Sequence, residues 1–387
     1  MIKYLGSKRR LVPVLGAVCE AVGAGRALDC FTGTTRVAQE LKRRGAHTTA
    51  VDTARYAHVF AQCYVELDAR DVSGAAAREL ADALSDLASR PGRDGYVTET
   101  FCVASRFFQP HNGRRIDAIR DAIEQDYRDA WMYPVLLTSL IEAADRVDST
   151  TGVQMAYVKQ WSERSYNDLE LRMPVLVEGT GRAVRGDACE VAGTLGSFDL
   201  AYLDPPYNQH RYFTNYHIWE TLVAWDAPAH YGVACKRVDA RDGATKSAFN
   251  ERRRMPAALA RVIADVDAVG RRRLVQRRVV GLGRRDRGDV PVPPAIAAVR
   301  TLAFDSKRYV GAQIGIHNPR GEKVGTVTRL RNLEYLVLAG ERRRVERAAG
   351  AARTAGGAAV ARTPERPRPA SSRNFDVPGA AAGRSRG

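Results

Sequence analysis

The sequence predicts an α/β protein built on an open sheet, and three segments carry this prediction. A short apolar run, 198–203, stops at Asp204-Pro205-Pro206-Tyr207. Upstream, residues 27–38 combine a strand with a glycine turn and the start of a helical pattern, and a second predicted strand, Thr48-Thr49-Ala50-Val51, stops at Asp52. Because open α/β folds bind ligands at the carboxyl edge of the sheet, these acidic stops predict parts of a binding site.

The glycine turn is typical of nucleoside binding. A tight strand-to-helix turn around Gly33 exposes backbone N–H groups to a ligand, and Asp52 at the end of the next strand can accept hydrogen bonds from ribose hydroxyls. The turn lacks the G-x-G-x-x-G pattern of dinucleotide sites, so a nucleoside cofactor is favoured over a dinucleotide.

A mainly helical insert lies between the glycine turn and the Asp-Pro-Pro-Tyr motif. Apolar residues have helical spacing in 75–87 and 116–130, and 135–147 is typical of an apolar helix. Side chains suited to base edges and phosphates occur in this insert, and the DNA-binding candidates are Arg106, Asn112, Arg114 and Arg115. An ordinary polar helix surface is the alternative interpretation.

The Asp-Pro-Pro-Tyr motif suits a planar exocyclic amine. Pro205 and Pro206 fix the backbone and present carbonyl acceptors, and Asp204 adds a charged acceptor. Two acceptors match the two N–H groups of the amine and help to localise its lone pair on nitrogen. Tyr207 can stack on the base, an interaction worth about 1–3 kcal/mol per base in single-strand binders. A structural Pro-Pro turn beside a buried tyrosine is the alternative.

The segment after this motif supplies candidates for a pocket that holds an extruded base. Aromatic residues alternate with hydrogen-bond donors from 208 to 219, and Tyr212 and Phe213 are the candidates for its second wall. Packing beneath the loop is the alternative. The six cysteines include no C-x-x-C pair, so the sequence predicts neither a zinc site nor a disulfide framework, and no other cluster has metal-ligand spacing.

In this order the motifs resemble the Dam-type class of S-adenosylmethionine-dependent DNA adenine-N6 methyltransferases. The resemblance covers residues 1–250 and rests on Tyr4-Leu5-Gly6-Ser7-Lys8, Asp29-Cys30-Phe31-Thr32-Gly33, Asp52, Gly186-Asp187-Ala188 and Asp204-Pro205-Pro206-Tyr207. It implies a Rossmann-like methyltransferase sheet with a helical recognition insert. It also implies transfer of a methyl group from S-adenosylmethionine to adenine N6 in double-stranded DNA.

The resemblance implies roles for single residues as well. Those expected around the methionine end of the cofactor are Tyr4, Gly6 and Lys8. Phe31 and Gly33 would flank the cofactor with Asp29 in the same motif, Asp52 would bind its ribose, and Asp187 would bind its adenine amine. Catalysis would fall to Asp204, Pro205, Pro206 and Tyr207.

Thr35 departs from the pattern of this class, which usually has a second glycine at that place. A threonine can cap the following helix through its hydroxyl. Its Cβ also restricts how closely the loop backbone approaches a ligand. The departure at Thr35 therefore bears on the affinity for the cofactor and not on the predicted fold.

Other functions stay open on the sequence. N4-cytosine or RNA amine methylation would act on a similar amine, whereas carbon methylation of cytosine needs a Pro-Cys setting that the sequence lacks. A catalytically dead DNA-binding relic, disrupted after residue 268, is the alternative from another class. The sequence leaves open whether a cognate restriction endonuclease is a partner. Because no apolar stretch reaches the ~18 residues that span a bilayer, we expect a cytoplasmic protein.

The net charge of +16 is concentrated in the last third of the chain. Residues 1–250 carry 30 Lys and Arg against 32 Asp and Glu, whereas 251–387 carry 30 against 12. Two Arg-rich blocks without lysine, 269–300 and 341–387, account for most of this excess. Either they contact phosphates, or they are out-of-frame translations of a GC-rich gene. We favour the second explanation for 269–300, because the strands predicted on both sides imply a missing strand and helix.

These observations divide the chain into four parts. We expect the cofactor half of the catalytic domain in 1–70 and the recognition insert in 71–180. The second half of the catalytic domain occupies 181–340, with 268–300 anomalous, and 341–387 is expected to be a disordered tail rich in Arg, Ala and Gly.

Overall fold

The computed structural model describes residues 1–5, 8–206, 211–268, 274–280, 296–307, 316–317, 323–325 and 331–356. Its helices are α1 Val12–Val22, α2 Arg36–Arg43, α3 Arg55–Ala61, α4 Gly74–Ser89, α5 Pro110–Asp126, α6 Tyr133–Val147, α7 Ala188–Val191, α8 Tyr212–Asn215, α9 His217–Ala224, α10 Met255–Ala268 and α11 Arg342–Gly356. Its strands are β1 Arg26–Asp29, β2 His47–Asp52, β3 Gly181–Arg185, β4 Leu200–Leu203, β5 His230–Tyr231, β6 Lys236–Arg237, β7 Leu274–Val280, β8 Ala298–Lys307, β9 Ile316–His317, β10 Lys323–Gly325 and β11 Arg331–Gly340.

Seven of these strands form one sheet in the order β3-β2-β1-β4-β7-β11-β8. The neighbouring strands β3, β2, β1, β4 and β7 run parallel, and β11 is antiparallel to its neighbours β7 and β8. The strand order reverses between β1 and β4, which makes their carboxyl ends the topological switch point of the sheet. The predicted Rossmann-like α/β fold is confirmed.

Both faces of the sheet are covered, as the apolar run before Asp204 requires. All four residues of β4 are buried. Leu200 and Tyr202 pack in a core that includes α1 and α11, while Ala201 and Leu203 pack in a second core with α10. Because alternate residues of a strand point to opposite faces, a fully apolar strand is stable only with helices on both sides.

The insert is mainly helical, as predicted, and it packs against helices that flank the sheet. Its helices α4, α5 and α6 share a core with α3 and α9. Arg120 of α5 is fully buried and donates through Nε to the carbonyl oxygen of Leu222 in α9, at 2.6 Å. Its guanidinium also lies 5.2 Å from the ring centroid of Trp225. These contacts fix the insert against the helix that follows the Asp-Pro-Pro motif.

Helix α11 corrects the expectation that 341–387 is wholly disordered. Val345, Ala348, Ala349 and Ala352 are buried in the core that α1 shares with β8 and β11. Their spacing of three, four and seven residues places them on one face of a helix. This short apolar stripe was overlooked because arginines surround it. Residues 357–387 lie outside the described residues.

Strand β7 lies in the part of the chain that the sequence marked as anomalous. It pairs parallel with β4 and antiparallel with β11, so it fills the gap that an out-of-frame segment would leave in the sheet. Residues 269–273 and 281–295 lie outside the described residues. None of the described helices combines the length and apolar character needed to cross a bilayer.

Candidate active site

A cavity of about 480 Å³ opens where β1, β2, β3 and β4 end, beside the switch point. It brings together most residues predicted for catalysis, cofactor and base, namely Tyr4, Lys8, Asp29, Phe31, Gly33, Asp52, Asp187, Asp204, Pro206, Tyr212 and Phe213. Pro205 is buried between two of them. Gly6 and Tyr207 lie outside the described residues, so their predicted roles stay predictions.

Asp204 follows β4 directly and forms an ion pair with Lys8. Both side chains are largely buried, 8% exposed for Asp204 and 15% for Lys8. The carbonyl oxygen of Lys8 accepts hydrogen bonds from the N–H groups of Leu11 and Val12, at 2.7 and 2.9 Å. Lys8 thus supports the start of α1 through its carbonyl oxygen and places a cation beside the predicted catalytic carboxylate through its side chain.

Asp52 holds the glycine turn in place. Its Oδ2 accepts from the N–H of Gly33 at 2.9 Å, and its Oδ1 accepts from the N–H of Ala54 at 3.0 Å. Gly33 has φ +51°, and a Cβ there would lie 3.0 Å from the hydroxyl oxygen of Tyr4. Each carboxylate oxygen of Asp52 has a second lone-pair site, so the side chain can still accept from a ribose hydroxyl.

Thr35 does not cap α2 through its side chain, although the sequence allows such a cap. It adopts the left-handed conformation, φ 61° and ψ 7°, that glycine favours and a β-branched residue rarely takes. Its buried hydroxyl instead accepts from Nε2 of Gln39 at 2.9 Å. Position 35 thus has the backbone conformation that the second glycine of the family pattern would adopt, although the residue is a threonine.

Asp29 connects β1 to the start of α2. Its Oδ2 accepts from the hydroxyl of Thr32 at 3.0 Å and from the N–H of Ala38 at 3.1 Å. Burial raises the pKa of the Asp29 carboxyl to about 7. Its Oδ1 is buried and has no hydrogen-bond partner among the described residues. An acceptor of this kind at the pocket suits a ligand that carries N–H or O–H donors.

Asp187 follows β3 and stands at the start of α7. Its Oδ1 accepts from the N–H of Cys189 at 2.8 Å. The carboxylate retains acceptor capacity toward the pocket that it lines. Acceptors at Asp29, Asp52 and Asp187, together with the Gly33 turn, therefore fit a nucleoside that carries hydroxyl and amine donors.

Tyr4 and Tyr212 form a stacked aromatic wall with Tyr216. The ring of Tyr4 lies 4.7 Å from that of Tyr216 and 5.5 Å from that of Tyr212, at interplanar angles of 14° and 29°. The Tyr216 hydroxyl accepts from the N–H of Leu5 at 2.7 Å. Burial raises the pKa of Tyr4. The N-terminal segment is thereby attached to the helices that follow the Asp-Pro-Pro motif.

The segment 245–250 lines the pocket and was missed by the sequence analysis. Phe249 is buried with its ring edge-on to that of Phe31, at a centroid distance of 4.9 Å and an angle of 81°. Arg211 holds this region by donating to the carbonyl oxygens of Ala240 and Asp242, at 2.7 and 3.0 Å. Nothing in the local sequence marks a segment that reaches the pocket through such long-range contacts.

Glu220 of α9 is a second residue of the pocket that the sequence analysis missed. It is only 1% exposed, and burial raises the pKa of its carboxyl to about 7. It occurs in the apolar run Ile218-Trp219-Glu220-Thr221-Leu222, where an isolated acid is a usable signal.

Three of the DNA-binding candidates lie at the surface of the insert, outside the pocket. Arg106 is half-buried, with its guanidinium 4.7 Å from the ring centroid of Trp161. Arg114 is exposed and pairs with Asp94 at 2.7 Å, and Arg115 is half-buried. Their proposed contacts with DNA remain predictions.

Asn112 is not a surface residue, which corrects its assignment to DNA binding. It is fully buried, and its Nδ2 donates to the carbonyl oxygens of Ser165 and Asn167, at 3.3 and 2.8 Å. Its Oδ1 accepts from the N–H of Leu169 at 2.8 Å. These bonds satisfy the amide and join α5 to residues 165–169, a segment that begins within the short turn Glu163–Tyr166.

Comparison with known proteins identifies relatives among DNA-modifying enzymes. The chain is 32% identical over 242 residues to the type II methyltransferase M.NlaIII of Neisseria lactamica, which covers 58% of this chain and 70% of that protein. It is 29% identical over 248 residues to the modification methylase StsI of Streptococcus sanguinis, covering 60% of this chain and 38% of the relative. It is 25% identical over 249 residues to the type II methyltransferase M.FokI of Planomicrobium okeanokoites, covering 60% of this chain and 38% of that relative.

No solved structure matches the chain significantly. The model of the D12 class N6 adenine-specific DNA methyltransferases matches residues 4–260, which include every motif on which the sequence resemblance rested. The match ends before the first Arg-rich block. The chain belongs to the D12 class N6 adenine-specific DNA methyltransferase family.

Proposed function

We propose that the protein transfers a methyl group from S-adenosylmethionine to N6 of adenine at specific sites in double-stranded DNA. The observation that carries this proposal is the position of Asp204-Pro205-Pro206 at the end of β4. There the motif opens into the same cavity as Asp52 and the Gly33 turn. Acceptors for an amine thus lie beside acceptors for a nucleoside.

The pocket residues divide between the two substrates. S-adenosylmethionine supplies an electrophilic methyl group when it is bound. Asp52 would accept from its ribose hydroxyls and Asp187 from its adenine amine, while Phe31 flanks it and Tyr4 and Lys8 lie near its methionine end. Tyr212 and Phe213, with Tyr207, would stack on an adenine that has left the duplex.

Asp204 and the backbone carbonyls of the prolines would accept the two N–H groups of the adenine amine. This arrangement localises the lone pair on nitrogen and orients it, so positioning contributes most of the rate enhancement. The methylated nitrogen is cationic and loses a proton of low pKa, which water can accept. No protein base is needed for that step.

The insert would contact DNA through Arg106, Arg114 and Arg115, of which Arg106 is stacked on Trp161. The relatives' names, "type II methyltransferase" and "modification methylase", support a modification role. Such a role makes a cognate restriction endonuclease the expected partner.

The test is identification of the methylated nucleoside. DNA incubated with the protein and isotope-labelled S-adenosylmethionine is digested and analysed by mass spectrometry, with RNA as a parallel substrate. We expect label in N6-methyladenine from DNA, and its loss in Asp204→Ala with S-adenosylhomocysteine binding largely retained. Label in N4-methylcytosine or RNA would overturn the substrate. Near-normal turnover of Asp204→Ala would overturn the site, and inactivity of the intact protein would support the relic.

A further inference from the structure

Glu220 is a pocket carboxylate with an unsatisfied oxygen. The side chain is 1% exposed, and its Oε1 is buried without a hydrogen-bond partner among the described residues. Its Oε2 forms a long ion pair with Nη1 of Arg55 at 3.8 Å, and the backbone N–H groups of Arg55 and Tyr56 at the start of α3 also favour the ionised carboxylate. These contacts leave Oε1 as the unsatisfied oxygen. A buried acceptor left in this state is costly and is rare in native proteins. A ligand in the pocket that brings an N–H donor would satisfy it.

The surroundings of Glu220 show which part of the pocket it serves. One turn before it, at the N-cap position of α9, Tyr216 stacks on Tyr4 with ring centroids 4.7 Å apart. Arg55 opens α3 three residues after Asp52. Glu220 therefore belongs to the side of the pocket formed by Tyr4 and Asp52, whereas the proposed amine acceptors at Asp204 follow β4. Its partner is accordingly a group of the methyl donor, not the target base.

We propose that Glu220 binds the α-ammonium group in the methionine part of the methyl donor. This inference rests on the proposed use of S-adenosylmethionine. Within the methionine part of the donor, only the ammonium group has both N–H donors and a positive charge. A buried carboxylate favours a partner that has both. Tyr4, which is predicted to lie near the methionine end of the donor, also lines this pocket. The sulfonium has no N–H to donate.

The test compares two ligands by titration calorimetry, with no turnover involved. The ligands are S-adenosylhomocysteine and its deaminated analogue, in which hydrogen replaces the ammonium group. We expect Glu220→Gln to weaken S-adenosylhomocysteine about ten- to hundredfold, the usual effect of removing a charge-assisted hydrogen bond, and to leave the deaminated analogue unchanged. The control is Glu170→Gln, an exposed carboxylate outside the pocket that pairs with Arg172.

Equal weakening of both ligands, or no weakening, would overturn the assignment of Glu220. If circular dichroism shows that Glu220→Gln does not fold, Glu220→Asp replaces it. This variant keeps the charge at a shorter reach and should lose part of the affinity for S-adenosylhomocysteine only. Absence of binding by the unmodified protein would instead contradict the proposed cofactor, so the two failures are distinguishable.

Discussion

Nζ of Lys8 and Oδ2 of Asp204 form an ion pair that joins the start of the chain to the end of β4. Both side chains are largely buried, so each helps to neutralise a charge that is shielded from solvent. The pair holds the Asp-Pro-Pro motif against the N-terminal segment before either substrate binds.

We predict that the two residues stabilise each other strongly. Lys8→Met should lower the free energy of unfolding by about 1–3 kcal/mol, because it leaves the buried Asp204 carboxylate without its cation. Adding Asp204→Asn should restore most of that loss. A double-mutant cycle in urea measures the coupling, and additive effects of the two changes would contradict it.

At Thr35, the destabilisation from backbone strain can be measured separately from the stabilisation by the hydrogen bond with Gln39. Thr35→Gly relieves a strained conformation worth about 1–2 kcal/mol, but it also removes the acceptor of Gln39, a loss of similar size. We therefore expect little net change in the wild type. In a Gln39→Met background, where that hydrogen bond is already absent, Thr35→Gly should raise the unfolding free energy by about 1 kcal/mol. Equal effects in both backgrounds would contradict this interpretation.

The Asp29 carboxyl should make the stability of the ligand-free protein depend on pH. Burial raises its pKa from 3.8 to about 7, so between these values the folded state holds a proton that the unfolded state has lost. Stability from this group therefore falls as the pH rises through that window and is constant above it.

Asp29→Asn does not titrate, so its unfolding free energy relative to wild type should increase from pH 5 to pH 7. Urea denaturation at several pH values measures the difference. Asp94→Asn, at an exposed carboxylate paired with Arg114, is the control. A difference between Asp29→Asn and wild type that does not change with pH would show that Asp29 ionises normally.

Helix α11 should be required for the stability of the catalytic domain. Ala349 is fully buried against the sheet, whereas the adjacent Gly350 is exposed with nothing within 4 Å of an added Cβ. Ala349→Asp should lower the unfolding free energy by about 2–4 kcal/mol, because it buries an unpaired charge. Gly350→Asp should have little effect. Equal, small effects at both positions would mean that 342–356 does not pack as described.

The sequence was sufficient where the information is local. Asp29 and Asp52 end strands and Asp204 follows one, and parallel strands bring their carboxyl ends to one edge whatever the loops between them do. Asp187 was implied only by the resemblance to the family. The hydrogen-bond acceptors of the rigid Asp-Pro-Pro motif follow from its residue types alone. The α/β class and most of the pocket could therefore be predicted without any tertiary information.

Tertiary structure alone decided the burial of polar groups and the long-range contacts. Asn112 has the composition of a base reader, but its amide is satisfied by the segment 165–169, a pairing that no local pattern specifies. Glu220 and Phe249 reach the pocket from elements distant in sequence. The sequence by itself determined which functional groups the strand ends offer, since residue types and the order of the motifs along the chain suffice for that. The fold determined which side chains reach the cavity, because burial depends on packing between segments far apart in the chain.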